Sequence, residues 1–445
     1  MEVYRVKDII LINPQPVVLK NLFAESLMYS NPPLGLGYLA SVLRQNGYNV
    51  DIYDMGPQKL TVNDIISKIK KEKCSAVGIA SIVGNYGNGI RLAKILKDSF
   101  PEIKIITGGP HASFIPEEIL SKEWVDIVCR FESEETIVEI MDTLSRGDDF
   151  QDIKGIAYKD ENGYIHINKP RPFIEDLDSI PFPAWDLFQL ECYSEPGVVL
   201  TGRGCPYSCI FCAASRLSGS RYRIRSSKNV VDEIEYLYEK YNINRIFIAD
   251  DTFTAIKKHC IRICEEIIER NLDITWEAEV RANTVNNEIA REMSKAGCLH
   301  VQIGAESGDN KILKLIEKNI TTEMIERAVK IMLSHGISVV CSFIIGHPFD
   351  THETVQKTID FACKLHRLDP NLVKCKFAFL TPLPGTPIFE RQNDFGIKLL
   401  SKNWDLYTFY DPIAETKYLN RKDLQNLYLE AWMRYINVER EFRNK

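Results

Sequence analysis

Three cysteines crowd into eight residues, Cys205-Pro-Tyr-Ser-Cys209-Ile-Phe-Cys212, directly after Gly202-Arg-Gly204. A C-x3-C-x2-C spacing lets three thiolates reach three corners of a [4Fe–4S] cube, and no fourth protein ligand stands nearby. Thiolates select iron–sulfur clusters or zinc, and an iron without a protein ligand is open to another molecule. Structural zinc wants four ligands; no histidine or further cysteine lies within that spacing, and the outlying Cys192 has no mate. The triplet therefore reads as a cluster site with one vacant metal position. The remaining cysteines (Cys74, Cys129, Cys260, Cys264, Cys298, Cys341, Cys363, Cys375) sit in apolar patterns, where free cysteine serves as a small buried hydrophobe.

Polar groups recur farther along the chain, each time at the close of an apolar run. They are Asp250-Asp251-Thr-Phe253, Glu279 with Arg281, Gln302-Ile-Gly-Ala-Glu306-Ser307-Gly308, and Gly346-His347-Pro348. Any one of these is ordinary for a helix cap or a turn. Their repetition at one end of successive strands is what points to a common mouth lined with ligand-binding groups. His347 reads as support for its loop. Trp404, Tyr407 and Tyr410 follow the last strand and read as packing for a terminal helix more readily than as a substrate wall.

The elements that must position these residues are legible from periodicity. Strands are expected at 197–201, 245–250, 274–280, 300–305, 338–345 and 372–379, with amphipathic helices between them. Six such units close most of a barrel, with chemistry at the carboxyl ends of the strands. Upstream, strands at 8–13, 50–54, 76–81, 104–107 and 127–129 also alternate with helices, giving a doubly wound, Rossmann-like α/β sheet. Ligands of such sheets sit beyond the carboxyl ends of the strands, here Asn13-Pro14, Ser81–Gly87, Gly108–Ser113 and Arg130–Glu135. Gly108 and Gly109 would let backbone approach a flat ring or a nucleotide tail. The expected division is 1–150 for the first domain, 151–192 for a connector with a hairpin turned at Asp160–Gly163, 193–395 for the partial (β/α)6 barrel, and 396–445 for a short helical region.

Bulk properties narrow the function. A net charge of −6 argues against nucleic-acid binding, which needs a basic surplus. Met1–Asp8 is charged where a signal peptide would be apolar, and no window reaches membrane-spanning length. A cytoplasmic setting is expected, and there twelve cysteines stay reduced.

Cys205, Cys209 and Cys212, with the aromatic Phe211 before the last of them, resemble the signature of radical S-adenosylmethionine enzymes. The resemblance implies a [4Fe–4S] cluster whose open iron is chelated by S-adenosylmethionine, reductive release of a 5′-deoxyadenosyl radical, and an external one-electron donor of flavodoxin or ferredoxin type. It further implies cofactor contacts from Phe211, Asp250, Asp251, Glu279, Arg281, Glu306, Ser307 and Gly346. The layout as a whole, about Lys7 to Pro387, is similar to the cobalamin-binding branch of that family. The residues that carry this are Asn13-Pro14, Pro32-Pro-Leu-Gly35-Leu-Gly37-Tyr-Leu-Ala40, Gly108-Gly109-Pro-His111-Ala-Ser113 and Ile180-Pro-Phe-Pro-Ala-Trp185. Cobalamin contacts are then implied for Asn13, Pro14, Gly35, Ser81, Gly84, Gly108, Gly109, His111 and Glu132. The chain departs from mutase-type cobalamin domains in having no histidine before His111, so a lower axial histidine is absent. It also has Arg130-Phe-Glu-Ser-Glu134 where the branch often shows Gly-Glu-Gly-Glu.

The activity implied is C-methylation of an unactivated carbon in a small molecule or peptide, with a cobalamin-dependent cyclisation or rearrangement as the alternative. Methylthiotransfer would need three more cluster cysteines in the first domain, where only Cys74 and Cys129 occur. A non-catalytic corrinoid or iron–sulfur sensor gains nothing from an open iron in a carboxylate-lined mouth.

Overall fold

The computed structural model describes residues 7–16 and 31–443, which form two compact units meeting in sequence at Pro196 and Gly197. In the first unit, β1 (Ile9–Asn13), β2 (Val50–Asp54), β3 (Ala76–Ala80), β4 (Lys104–Gly108) and β5 (Ile127–Cys129) pair in parallel in the order β2-β1-β3-β4-β5. This is the flavodoxin-like version of a doubly wound sheet, whose switch point lies between β1 and β3. Its central strands are buried on both faces, as IILIN and AVGIA show, because helices cover both sides. The hairpin expected in the connector, β6 (Ile156–Lys159) and β7 (Ile165–Ile167), does not stand apart. It adds to the β5 edge of the same sheet in antiparallel fashion. The helix Glu134–Arg146, ended by Gly147 in the left-handed region, was not anticipated.

The second unit carries β8 (Val198–Val199), β9 (Gly202–Arg203), β10 (Arg223–Ile224), β11 (Arg245–Ile248), β12 (Thr275–Val280), β13 (Cys298–Glu306), β14 (Ser338–Ile345) and β15 (Val373–Phe379). Six of these run parallel in the order β8-β11-β12-β13-β14-β15, the succession expected of a partial barrel. Here burial alternates along each strand, as in TWEAEV and SVVCSFII. Residues such as Trp276 and Phe343 face the helices; Glu279, Gln302, Ser342 and Lys376 share the opposite, inner face. The two sheets thus differ in kind: the central strands of the first are apolar on both faces, while the second presents a polar concavity.

The helix Arg421–Arg443 lies along β15, burying Leu424, Leu427, Ala431, Tyr435 and Val438. The Cys375 amide donates to its Tyr435 hydroxyl at 3.4 Å, capping a group on the sheet's last edge. Trp404 and Tyr407 are buried against each other with ring centroids 4.7 Å apart, as core packing requires, while Tyr410 is exposed. Among the described residues no helix is long and apolar enough to cross a membrane.

Candidate active site

The cysteine loop leaves β9 through a backbone shape that only glycine accepts easily. Gly204 has φ +96°, and a Cβ there would press on the carbonyl oxygens of Arg221, Gly219 and Ser218. The Cys205 amide then donates to the Gly219 carbonyl at 3.0 Å. Farther on, the Ile210 amide donates to Ile316 and the Ile210 carbonyl accepts from Ile388, both at 3.2 Å. The loop is fastened to three separate segments before any ligand arrives. Cys209 is buried, Cys205 half-buried and Cys212 exposed. Surrounding protein nevertheless pushes the Cys212 thiol up to about 12, and burial raises that of Cys205. Among the described residues no group of three or more His, Cys, Asp and Glu converges on a single-ion site. A cube of iron and sulfide, by contrast, takes one thiolate at each of several separated corners.

Arg281, one residue beyond β12, is buried beside this loop. Its guanidinium stacks over Tyr207 at 3.8 Å, and Nη1 lies 3.8 Å from Cys209 Sγ. Nε and Nη2 are buried with no partner. Orphaned donors on a buried cation call for an anion, and thiolates, sulfides or a carboxylate fit that demand. Tyr207, inside the cysteine motif, was not singled out from sequence, although an aromatic within the x3 spacing was a visible signal.

Other strand ends sort into open and closed groups. Asp251 is pushed up to about 6 by burial and by neighbouring Asp250. Glu279 accepts from Gln302 at 3.0 Å and is raised by burial, against the pull of Lys376. Glu306 takes φ +63° and pairs with Lys318 at 2.8 Å, a partner that sequence reading missed. Phe211 approaches His347 with ring centroids 5.5 Å apart. Burial holds the His347 imidazole neutral, near 3, against an opposing pull from the Glu306 backbone.

At several of the expected contact positions the chain already supplies partners of its own. Asp250 is wholly buried and spends both oxygens inside the chain: on the Thr201 amide at 2.7 Å, the Gly202 amide at 3.2 Å, the Tyr222 hydroxyl at 2.6 Å and the Thr201 hydroxyl. It braces the start of the cysteine loop. Ser307 is buried and tied to Thr358 at 3.2 Å and to the Asp309 amide. Gly346, at φ +94°, is required where a Cβ would meet Leu424 at 2.8 Å. Its amide and that of His347 donate to Asp350.

In the first unit, the switch point between β1 and β3 holds a closed network. Asn13 donates to Asp54 at 3.0 Å and accepts from Asn85 at 3.0 Å; Tyr193 donates to Asp54 at 2.8 Å. Burial nevertheless pushes Asp54 up to about 6. Asn13 thus engages both ends of its side-chain amide within the fold. Glu132 accepts from the Ile174 amide at 2.8 Å and likewise serves the fold. Pro14 packs against Gly89. Gly35 and Gly84 have open space where a side chain would be, so nothing steric requires glycine there. Gly37, by contrast, would strike Pro183 at 2.8 Å.

Beside that network lies a cradle. Gly109 has φ +117°, and a Cβ would meet the Ser81 carbonyl at 2.8 Å; one on Gly108 would meet Cys129 at 3.2 Å. The Ser81 hydroxyl is buried without a hydrogen-bond partner among the described residues. His111 is buried edge-on to Tyr86 at 4.8 Å and held neutral, near 4, by burial. A glycine-lined backbone shelf with an orphaned hydroxyl suits a large, flat, hydrogen-bonding group.

The chain thus joins a flavodoxin-like sheet to a partial barrel that carries a three-cysteine loop. Residues 199–362 match the radical SAM superfamily and residues 21–141 match the B12 binding domain. An uncharacterized methyltransferase (PH0819) of Pyrococcus horikoshii is 38% identical over 411 residues, covering 91% of this chain and 88% of its own. The anaerobic magnesium-protoporphyrin IX monomethyl ester cyclase of Rubrivivax gelatinosus is 29% identical, covering 91% and 74%. The fold matches the radical S-adenosylmethionine methyltransferase TsrM from Kitasatospora setae, solved with cobalamin and [4Fe–4S] cluster. Its TM-score is 0.74 at 20% identity, covering 92% of this chain and 83% of that one. The chain belongs to the cobalamin-binding radical S-adenosylmethionine enzymes. Its cofactors are accordingly a [4Fe–4S] cluster, S-adenosylmethionine and cobalamin.

Proposed function

We propose that this enzyme is a C-methyltransferase acting on an unactivated carbon of a small molecule or peptide, with the cluster held by Cys205, Cys209 and Cys212. What supports the reading is the joining of a radical SAM match and a B12 binding match in one chain that is 38% identical to a methyltransferase, with the buried cation Arg281 set against the cysteine loop. When bound, S-adenosylmethionine on the cluster supplies a 5′-deoxyadenosyl radical, and cobalamin supplies the methyl group.

The chain's own residues bind, orient and exclude water. Arg281 offsets the negative charge of the thiolates and, through Nε and Nη2, positions an anionic neighbour. Phe211 and His347 close the mouth with an apolar ring and a neutral imidazole. Asp251 and Glu279 present carboxylates to the amino-acid end of S-adenosylmethionine, while Lys318 neutralises Glu306. In the first domain, Gly108, Gly109 and Ser81 form the shelf for cobalamin, with no histidine in an axial-ligand motif. The division of labour follows 1–150 for cobalamin, 151–192 as connector, 193–395 for radical chemistry and 396–445 as a helical closure. An external one-electron donor of flavodoxin or ferredoxin type and a cytoplasmic setting suit twelve cysteines that are all unpaired.

The test is anaerobic incubation of reconstituted enzyme with methyl-deuterated S-adenosylmethionine, a reductant and the small-molecule fraction of a cell extract. Methyl transfer places the label in a new product alongside 5′-deoxyadenosine. The cyclase among the relatives favours a second reading, ring closure, which gives 5′-deoxyadenosine and an altered product without the label.

A further inference from the structure

The inner face of the second sheet places a cation and a hydroxyl, neither hydrogen-bonded among the described residues, at register-paired positions. Ser342 on β14 and Lys376 on β15 are direct register partners. Their chain neighbours Cys341, Phe343, Cys375 and Phe377 are buried on the opposite, helix-covered face. The Ser342 hydroxyl is buried with no hydrogen-bond partner. Lys376 is exposed and forms no hydrogen bond or ion pair among the described residues.

Its fellow cations are accounted for. Lys374 pairs with Glu439 at 2.8 Å and also donates to the Pro370 carbonyl; Lys318 pairs with Glu306. On its other side Ser342 faces Gly304, and the Glu306–Lys318 pair occupies the space above that glycine. The carboxylate within electrostatic reach of Lys376 is Glu279, which already accepts from Gln302 and which burial drives toward its neutral form. Lys376 shares its Coulombic neighbour Glu279 with Gln302, and the register-paired Ser342 has no acceptor among the described residues; an oxyanion arriving between them satisfies both.

We infer that Lys376 and Ser342 bind an oxyanion group of the substrate, a carboxylate or a phosphate. Both residues lie three positions before the ends of their strands at Ile345 and Phe379. At about 3.3 Å per residue, that places the anion roughly 10 Å below the mouth. Arg281 and Asp251 stand past their strand ends. The anion site is thus a deeper anchor for substrate, set below Arg281 and Asp251 and bordered by Glu279 and the Glu306–Lys318 pair. It rests on the reading that this concavity is the reaction chamber.

The test is ligand-observed NMR titration of anaerobically reconstituted enzyme with benzoate, phenyl phosphate and neutral benzyl alcohol. One of the two anions is expected to bind and benzyl alcohol is not; which anion binds identifies the substrate group. Lys376→Met should weaken that binding about 10-fold or more, Lys376→Arg should retain it, and Ser342→Ala should weaken it about 3-fold. Binding that is equal in wild type and Lys376→Met, or equal for benzyl alcohol, overturns the site. Should Lys376→Met fail to fold, Ser342→Ala decides, and unchanged binding there overturns it as well. Release of 5′-deoxyadenosine by the same wild-type preparation reports on the chamber separately. Wild type that releases it yet binds neither anion refutes the oxyanion site alone; wild type that binds an anion through Lys376 but never releases it refutes the radical reading instead.

Discussion

Replacing Arg281 with methionine removes one buried positive charge beside the cysteine loop while keeping a side chain of similar length. Nη1 lies 3.8 Å from Cys209 Sγ, so the centre of a cluster held there is roughly 6 Å from the guanidinium. At an effective dielectric of about 20, one charge acting on an added electron at that range is worth about 3 kcal/mol. Since tenfold in equilibrium, about 1.4 kcal/mol, corresponds to about 59 mV for one electron, the midpoint potential should fall by about 130 mV. Arg281→Lys keeps the charge and should recover more than half of that shift. The assay is an anaerobic potentiometric titration followed by electron paramagnetic resonance, with iron content measured first to show that the cluster is in place. A methionine variant with full iron and a midpoint within about 20 mV of wild type would refute the assignment of Arg281 to the cluster's field.

Two further outcomes follow from the first unit. Asp54 is held near 6 against an ordinary value of 3.8. The folded chain therefore keeps a proton that the unfolded chain has already lost, and stability falls as pH rises through that window. Relative to Asp54→Asn, wild type should lose about 1 kcal/mol between about pH 5 and about pH 7, read from thermal or urea unfolding; a constant difference contradicts the burial argument. Gly109→Ala forces a side chain into φ +117° with its Cβ 2.8 Å from the Ser81 carbonyl. It should cost about 2–4 kcal/mol and abolish retention of corrinoid colour, whereas Gly84→Ala, with open space around it, should keep both.

What was legible in the sequence were features fixed by local chemistry. The cysteine spacing, the alternation of strands and helices, and the hairpin turned at Asp160 need only residues close in the chain. The side-chain roles needed more. Asn13, Glu132, Asp250 and Ser307 all stood where ligand contacts were expected, yet each is claimed by a partner 41 to 51 positions away. A polar residue at a strand end is equally suited to a ligand and to a neighbouring loop, and only the fold decides. Gly346 was expected to admit a cofactor, but its missing Cβ admits Leu424 of the terminal helix. The helix Glu134–Arg146 was hidden behind the three-residue strand β5, although its apolar spacing and Gly147 at its end were signals at hand. Lys318, Ser342 and Lys376 carried no motif at all. Their meaning comes from register across β13, β14 and β15, which no local pattern encodes.

The most direct measurement is the iron content and reductive release of 5′-deoxyadenosine from single Cys205→Ala, Cys209→Ala and Cys212→Ala variants reconstituted beside Cys192→Ala. Each of the three should lose the reducible cluster and the nucleoside, while Cys192→Ala, outside the loop, keeps both. A Cys205, Cys209 or Cys212 variant that holds wild-type iron and still releases 5′-deoxyadenosine contradicts the account at its foundation.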